Sequence, residues 1–307
     1  MKIDRTVTTV IDAEKCIGCG LCIRVCRCGT LSMADGKAVV TGESSLSCGH
    51  CVAVCPVDAV RVGAIDEGLT SYQTFQADPD WLPHGEGDTA QLVRLMASRR
   101  SCRNYLDRPV DRSILEDLVR IGITAPSGSN SQAWTFTILP NRSTLVALGD
   151  RMAAFFKRLN RTAESALLRN TLRLLGRHKL DDYWQGYYER TKEFVELWEK
   201  KGTDRFFHGA TAAIVVATKP DASCPKEDAL LAAGNILLGA HSMGLGSCLI
   251  GFAVVAIGRD RRIQRFLGIP GEEEVHAVIA LGYPDEGYCK VAGRKSFTQR
   301  FFEMGTH

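Results

Sequence analysis

Cys16-Ile17-Gly18-Cys19-Gly20-Leu21-Cys22-Ile23-Arg24-Val25-Cys26 is the stretch that decides how the chain begins to fold. Its spacing, C-x2-C-x2-C-x3-C, is the one in which three thiolates hold an iron-sulfur cubane while the fourth reaches across to a second cluster. Further along, Cys48-Gly49-His50-Cys51-Val52-Ala53-Val54-Cys55-Pro56 supplies a reciprocal half, so the segment reads as two copies of one motif. Eight of the chain's twelve cysteines lie between Cys16 and Cys55. Gly18, Gly20 and Gly49 permit the tight turns that aim backbone amides at sulfur. Zinc is the competing occupant, since Cys-x2-Cys also binds it tetrahedrally, but a zinc site rarely needs three cysteines at x2 and x2 followed by a fourth at x3. His50 reads as a solvent-facing neighbour, not a ligand.

The first segment, residues 1–63, is small and poor in helix-length periodic runs, so bound clusters must replace much of its apolar core. Over about fifty residues it resembles a bacterial two-cluster ferredoxin. That resemblance implies cluster one on Cys16, Cys19, Cys22 and Cys55, and cluster two on Cys26, Cys48 and Cys51. Where the second motif expects its first cysteine, this sequence has Ser45. Three outcomes stay open. Ser45 ligates through oxygen; or Cys28, two residues past Cys26 where Arg27 replaces the usual proline, fills in; or the site holds a three-iron cluster. Cys28 is the preferred ligand.

A chain of 307 residues with 45% hydrophobic and 24% charged residues has room for one large domain besides this small one. Its formal net charge of +3 is spread over mixed signs and demands neither nucleic acid nor a membrane surface as partner. No run approaches the roughly 20 apolar residues of a membrane span, and Met1-Lys2-Ile3-Asp4-Arg5 lacks a signal-peptide core, so a cytoplasmic location is expected. Thiols there are free to hold metal rather than pair as disulfides.

Residues 64–88, rich in Asp, Gly and Pro around Trp81, read as a linker, and residues 89–307 as the second domain. Helical patterns at Gln91 to Ser98, Arg112 to Gly122 and Glu227 to Met243 alternate with strand-like Trp134 to Leu139, Ala212 to Thr218 and Val275 to Leu281. The expected class is α+β, a layered domain. Residues 144–200 form a helical block with Leu167, Leu168, Leu172, Leu174 and Leu175 on one side, and Tyr183, Trp184, Tyr187 and Tyr188 on a face that covers something apolar.

Two further segments carry chemistry. Arg99-Arg100-Ser101-Cys102-Arg103 ends a helical run with basic groups and a hydroxyl suited to a phosphate, although cations at a helix end also occur as plain surface charge. Ala125-Pro126-Ser127-Gly128-Ser129-Asn130-Ser131-Gln132-Ala133-Trp134 is a turn-rich loop with amide side chains that leads into a strand. Together they resemble the nitroreductase family of FMN enzymes, whose motifs run R-R-S-x-R and A-P-S-G-x-N-x-Q-P-W; Ala133 stands where that family has proline. The resemblance continues through Gly234 to Gly251 and Leu281-Gly282-Tyr283-Pro284 to Arg294-Lys295, covering residues 94 to 300.

It implies a mixed sheet flanked by helices, a homodimer with the flavin at the interface, and Phe297 to Phe302 reaching toward the partner. Arg99, Arg100, Ser101, Arg103 and Arg294 are expected around the FMN phosphate. Ser127, Asn130 and Gln132 are expected at the ring and ribityl chain, and Ile250 and Gly251 beside the isoalloxazine with a backbone N–H near N5. Cys102, Cys224, Cys248 and Cys289 read as incidental thiols, and His208 and His241 as core or helix residues.

The implied function is an oxidoreductase. Electrons from ferredoxin or another low-potential donor pass through the clusters to FMN, which reduces a small electrophile such as a nitroaromatic or quinone beneath the helical lid. No side chain is assigned as catalytic, because flavin N5 carries the chemistry. Two alternatives stand beside it: an NAD(P)H-dependent flavin reductase or nitroreductase whose clusters are an outlet or structural, and a non-enzymatic electron carrier or redox sensor. The substrate and donor are not legible in the sequence.

Overall fold

Strands too short to stand alone build the N-terminal domain in the computed structural model, which describes residues 4–303. β1 (Thr9–Ile11) is completed by the end of the domain through antiparallel pairing with the later β4 (Val60–Val62). Between them lie α1 (Leu21–Val25), the hairpin of β2 (Leu31–Ala34) and β3 (Lys37–Val40), and α2 (His50–Ala53). The hairpin turns on Asp35 and Gly36, both at positive φ (48° and 75°), as a two-residue turn matched to strand twist requires. α1 and α2 each start after a left-handed glycine, Gly20 and Gly49. Among the described residues Leu31, Ala38, Ala59 and Val60, with Cys16 and Cys22, form a small buried apolar cluster here, with Ile11, Ile23, Val52 and Val57 packed against it, a core of the size that small domains usually supplement with metal or disulfides.

The 64–88 segment contains a short 3-10 turn, Glu67–Thr70, and docks on the second domain. The backbone N–H of Gln73 and both the N–H and hydroxyl of Thr74 donate to the carboxylate of Asp117, at 2.7–3.0 Å. Asp117 is fully buried on a helix of that domain. Burial pushes its carboxyl up, but the Gln73 and Thr74 hydrogen bonds outweigh this and hold it below its ordinary value. A depressed carboxyl stabilises the fold above its unfolded-state pKa and loses that contribution as pH falls through the folded value. Asp117→Ala strands these donors and is expected to lower the urea-unfolding free energy at neutral pH by about 2–3 kcal/mol. An unchanged midpoint would show that the segment is not held there.

The second domain opens with α3 (Thr89–Ser98) and α4 (Arg112–Gly122) and then β5 (Trp134–Leu139). Next come α5 (Arg142–Glu164), α6 (Ala166–Leu174), α7 (Lys179–Gly186) and α8 (Tyr188–Lys201). β6 (Ala212–Thr218), α9 (Pro225–Ser242), β7 (Gly246–Leu249), α10 (Gly251–Arg259), α11 (Arg261–Phe266) and β8 (Glu274–Gly282) complete it. The sheet order is β5-β6-β8-β7, antiparallel throughout, with one parallel bridge from Ser101 to Ser247 at the β7 edge.

β6 is buried along all seven residues because both its faces are covered. Ala213, Val215 and Ala217 join a core under α5, α8 and α10, while Ala212, Ile214 and Val216 join another under α4 and α9. That period-two division makes three layers. The 144–200 block is built of four helices, α5 to α8. A buried network in which the Tyr183 hydroxyl meets Asn160 and Thr191, each at 2.6 Å, ties α7 and α8 to α5. On the leucine side of the block, Leu167, Leu174 and Leu175 are 69–87% exposed, whereas Leu172 is half-buried. Among the described residues no helix is long and apolar enough to cross a membrane.

Candidate functional site

The eight N-terminal cysteines sort into two cavities. Cys16, Cys19, Cys22 and Cys55 line one, with Ala38 and Val60 behind them. Cys26, Cys28, Cys48 and Cys51 line the other, together with Ser45, Ser47 and His50. Backbone amides point at the sulfurs: Ala38 N–H donates to Cys16 at 3.5 Å and Ala59 N–H to Cys55 at 3.2 Å. Hydrogen bonds from Ala38 and then Gly18 draw the Cys16 thiol below its ordinary value, favouring the thiolate that a cluster needs. Among the described residues, no three Cys, His, Asp or Glu side chains stand close enough to hold a single metal ion. Four thiols spread around a cavity suit a multi-iron body better than one tetrahedral zinc at about 2.3 Å from each sulfur.

In the second domain, the chain leaves α3 extended and runs along β7, Cys102 N–H donating to Ser247 O at 3.0 Å. Extended backbone sends alternate side chains to opposite sides. Arg99, Ser101 and Arg103 therefore lie toward Cys248: burial pushes that thiol up, while Arg103, a hydrogen bond from Ser101 and Arg99 oppose the rise. Cys248 and Arg103 line a cavity of about 710 Å³ together with Ile250 and Gly251. Arg100 goes the other way, into a separate cavity of about 510 Å³ beside Arg94, His241 and Glu286. Burial of Cys102 on that side pushes its thiol up to about 11, so it stays protonated. Arg294 is exposed and borders neither cavity.

Ile250 and Gly251 do different work. The Ile250 N–H is spent on Val278 O at 2.8 Å, extending the sheet. Gly251 opens α10, and among the described residues its N–H meets no protein acceptor, as expected at the first turn of a helix. A Cβ placed on Gly251 meets nothing within 4 Å. The cavity thus has a bare backbone donor at a helix N-terminus on one wall and Arg103 on another, a combination suited to an anionic, planar cofactor.

Ser127, Asn130 and Gln132 line no part of that cavity. Their loop is a strap between the two domains. Asp228, buried on α9, accepts from Gly128 N–H at 2.9 Å and from Ser131 Oγ at 3.3 Å. At the other side, the Asn130 amide donates to Leu46 O at 3.0 Å and Ser47 O at 3.2 Å, next to Cys48. Gln132 Nε2 donates to Asn130 Oδ1, and Ser127 Oγ accepts from Gln132 N–H, both at 3.0 Å. Ser129, Asn130 and Gln132 all hold positive φ of 45–53°, a strained run that these bonds sustain.

Sequence reading missed the aromatic walls Phe156, Phe194, Phe206 and Phe252. On α8, Arg190 and Phe194 four apart share one face, and Tyr187 just ahead of that helix joins them at the cavity, a signal that could have marked its lid side. His208 also borders it; burial draws its imidazole below the ordinary value, Asp204 opposing this and Arg103 and Arg205 adding to it.

The nitroreductase family model covers residues 96–283, and a 4Fe-4S dicluster domain model covers residues 15–59. The chain is 29% identical to an NADH dehydrogenase of Thermus thermophilus over 67% of its length and 91% of that protein. It is 26% identical to a 4-nitrobenzoate reductase of Pseudomonas putida over 64% of its length and 87% of that protein. A nitroreductase with bound FMN from Bacteroides fragilis superposes with a TM-score of 0.53 at 23% identity, covering 69% of this chain and 99% of that one. With more than half of its residues matched, the chain belongs to the nitroreductase family, as an oxidoreductase that carries a 4Fe-4S dicluster domain ahead of its family fold.

Proposed function

We propose that the chain takes electrons from a low-potential donor into its iron-sulfur domain and delivers them in pairs, at an FMN-holding cavity, to a small electrophile such as a nitroaromatic or quinone. The observation that carries this reading is the 710 Å³ cavity where Arg103 faces the open N-terminus of α10 at Gly251. FMN, when bound, supplies the exchange between single electrons and pairs. Arg99, Ser101 and Arg103 would hold its phosphate, and Gly251 would present its amide to the ring. Reduction of a nitro group to nitroso takes two electrons and two protons and releases one water.

Two four-cysteine sets would hold the clusters, Cys16, Cys19, Cys22 and Cys55 in one and Cys26, Cys28, Cys48 and Cys51 in the other. The second set lies beside the strap, so it is the one nearer the family fold. A homodimer would bring a partner's strap to the cavity that this chain's own strap does not line. Leu92, Val93 and Met96 on α3 and Phe297, Phe301 and Phe302 near the C-terminus are exposed apolar residues available for that interface.

A second reading, direct reduction by NAD(P)H, is favoured by the relative named an NADH dehydrogenase. Anaerobic stopped-flow separates the two. Reduced ferredoxin is expected to bleach the flavin within the turnover time while NADH leaves it oxidised. Bleaching by NADH on that timescale overturns the donor assignment, and a fully reducible flavin that turns over no acceptor would leave an electron carrier or sensor.

A further inference from the structure

The 710 Å³ cavity carries more positive charge than the flavin segment accounts for. Beyond Arg103, it is lined by Lys179 of α7, Arg190 of α8, Arg205 ahead of β6 and Arg259 at the end of α10, against one carboxylate, Asp182. Among the described residues none of these five cations has a carboxylate within ion-pair distance. The nearby acids are engaged elsewhere. Asp204, next to Arg205, holds Arg142 at 2.6 Å, and Asp260, next to Arg259, holds Arg158 at 2.6 Å and Arg262 at 2.9 Å. Asp181 faces Arg169 and Arg173. A merely solvated surface intersperses its signs, whereas here the acids are drawn off and the cations left facing one cavity.

The cations divide by position. Arg205 lies with Arg103 in electrostatic reach of His208, at the flavin segment's end. Lys179 and Asp182, three apart on α7, share a face and offset one another. Arg190 and Arg259 remain without a task. Between them the walls are aromatic: the Phe252 ring meets Phe156 at 5.7 Å, Phe194 at 5.5 Å and Tyr187 at 6.4 Å, all near edge-on. A slot of rings with two free guanidinium groups selects by shape and charge together, since guanidinium pairs bidentately with carboxylate and stacks on aromatic faces.

We propose that the acceptor reduced here is a planar aromatic compound bearing a negative charge on or beside the ring, a carboxylate or phenolate, and that Arg190 and Arg259 select it. The proposal rests on the flavin reading of this cavity, and its test is chosen so that the two fail separately. Holoprotein charged by the same low-potential donor is offered 4-nitrobenzoate, nitrobenzene and 4-nitrobenzyltrimethylammonium. The anion is expected to lead the neutral compound by tenfold or more in kcat/KM, chiefly through KM, with the cation last and the spread shrinking as salt is raised. Arg190→Gln and Arg259→Gln are each expected to cut the anion-to-neutral ratio about tenfold.

Benzoate, which cannot be reduced, gives a readout independent of turnover. Dialysis against the oxidised holoprotein is expected to show binding that both variants weaken by a similar factor. Equal kcat/KM for the three charges overturns the charge selection and leaves the flavin reading standing. Should no nitro compound be turned over, the flavin reading fails as an enzyme, and benzoate still decides the charge proposal: binding lost in the variants supports it, and no binding to the wild type overturns it.

Discussion

Alanine at Cys28 is expected to convert the second iron-sulfur site into a three-thiolate site, lowering iron from about eight to about seven atoms per chain, or to about four if the cluster is lost outright. The expectation follows from which groups reach that cavity. Cys26, Cys28, Cys48 and Cys51 line it together, so a fourth thiol is present although the motif position itself is Ser45. Ser45 borders the same space, but its hydroxyl accepts from Ser47 N–H at 3.0 Å and is buried within its own turn. Thiolate is also the softer donor that iron-sulfur clusters take. Arg5 Nη1 stands 3.9 Å from the Cys28 sulfur. Anaerobic iron and sulfide analysis with EPR checks the outcome. Wild type is expected to be silent when oxidised, Cys28→Ala to show a three-iron signal, and Ser45→Ala to match wild type. A three-iron signal already present in wild type and unchanged in Cys28→Ala would remove Cys28 from the site.

Most elements were legible because their residues obey a local period. Arg112–Gly122, Trp134–Leu139 and Ala212–Thr218 coincide with the observed helix and strands, and the end shifts elsewhere are of one or two residues. The cysteine halves were legible for the same reason: ligand spacing is a local property. What escaped depends on contacts distant in sequence. The motif Arg99-Arg100-Ser101-Cys102-Arg103 reads as one basic patch, yet its extended backbone beside Ser247 divides it, and Arg100 faces a different cavity. Likewise Ser127, Asn130 and Gln132 read as ligands for a flavin, whereas within one chain the Asn130 amide binds the loop before Cys48 and Gln132 bonds Asn130 and Ser127. No pattern in either segment encodes that meeting, 83 residues apart from Ser47 to Asn130. Ile250 and Gly251 looked equivalent until pairing with β8 consumed one amide and left the other.

That difference between neighbouring amides makes Gly251 the sharpest probe of the proposed FMN cavity. Gly251→Val is expected to yield folded, iron-loaded protein that retains a tenth or less of its FMN. Valine is tolerated by the backbone, since Gly251 is outside the left-handed region and an added Cβ meets nothing within 4 Å. Its side chain instead enters the cavity beside the free N–H that opens α10. Forcing two further methyl groups against a fitted ring costs about 1–3 kcal/mol, or roughly five- to 150-fold in affinity. Shielding the helix N-terminus from an electron-rich ring adds to that loss. Flavin-to-iron ratio after gel filtration at low micromolar protein reads the effect without any turnover. Gly234→Val on α9 is the control, because that position is equally uncrowded and does not border the cavity. Loss of FMN in both variants would mean that β-branching in a helix, not occupancy of the cavity, was responsible. Full FMN in Gly251→Val would place the cofactor away from α10 altogether, and Arg103 would then be left as a charge without the ligand that its place on the opposite wall of the cavity from Gly251 implies.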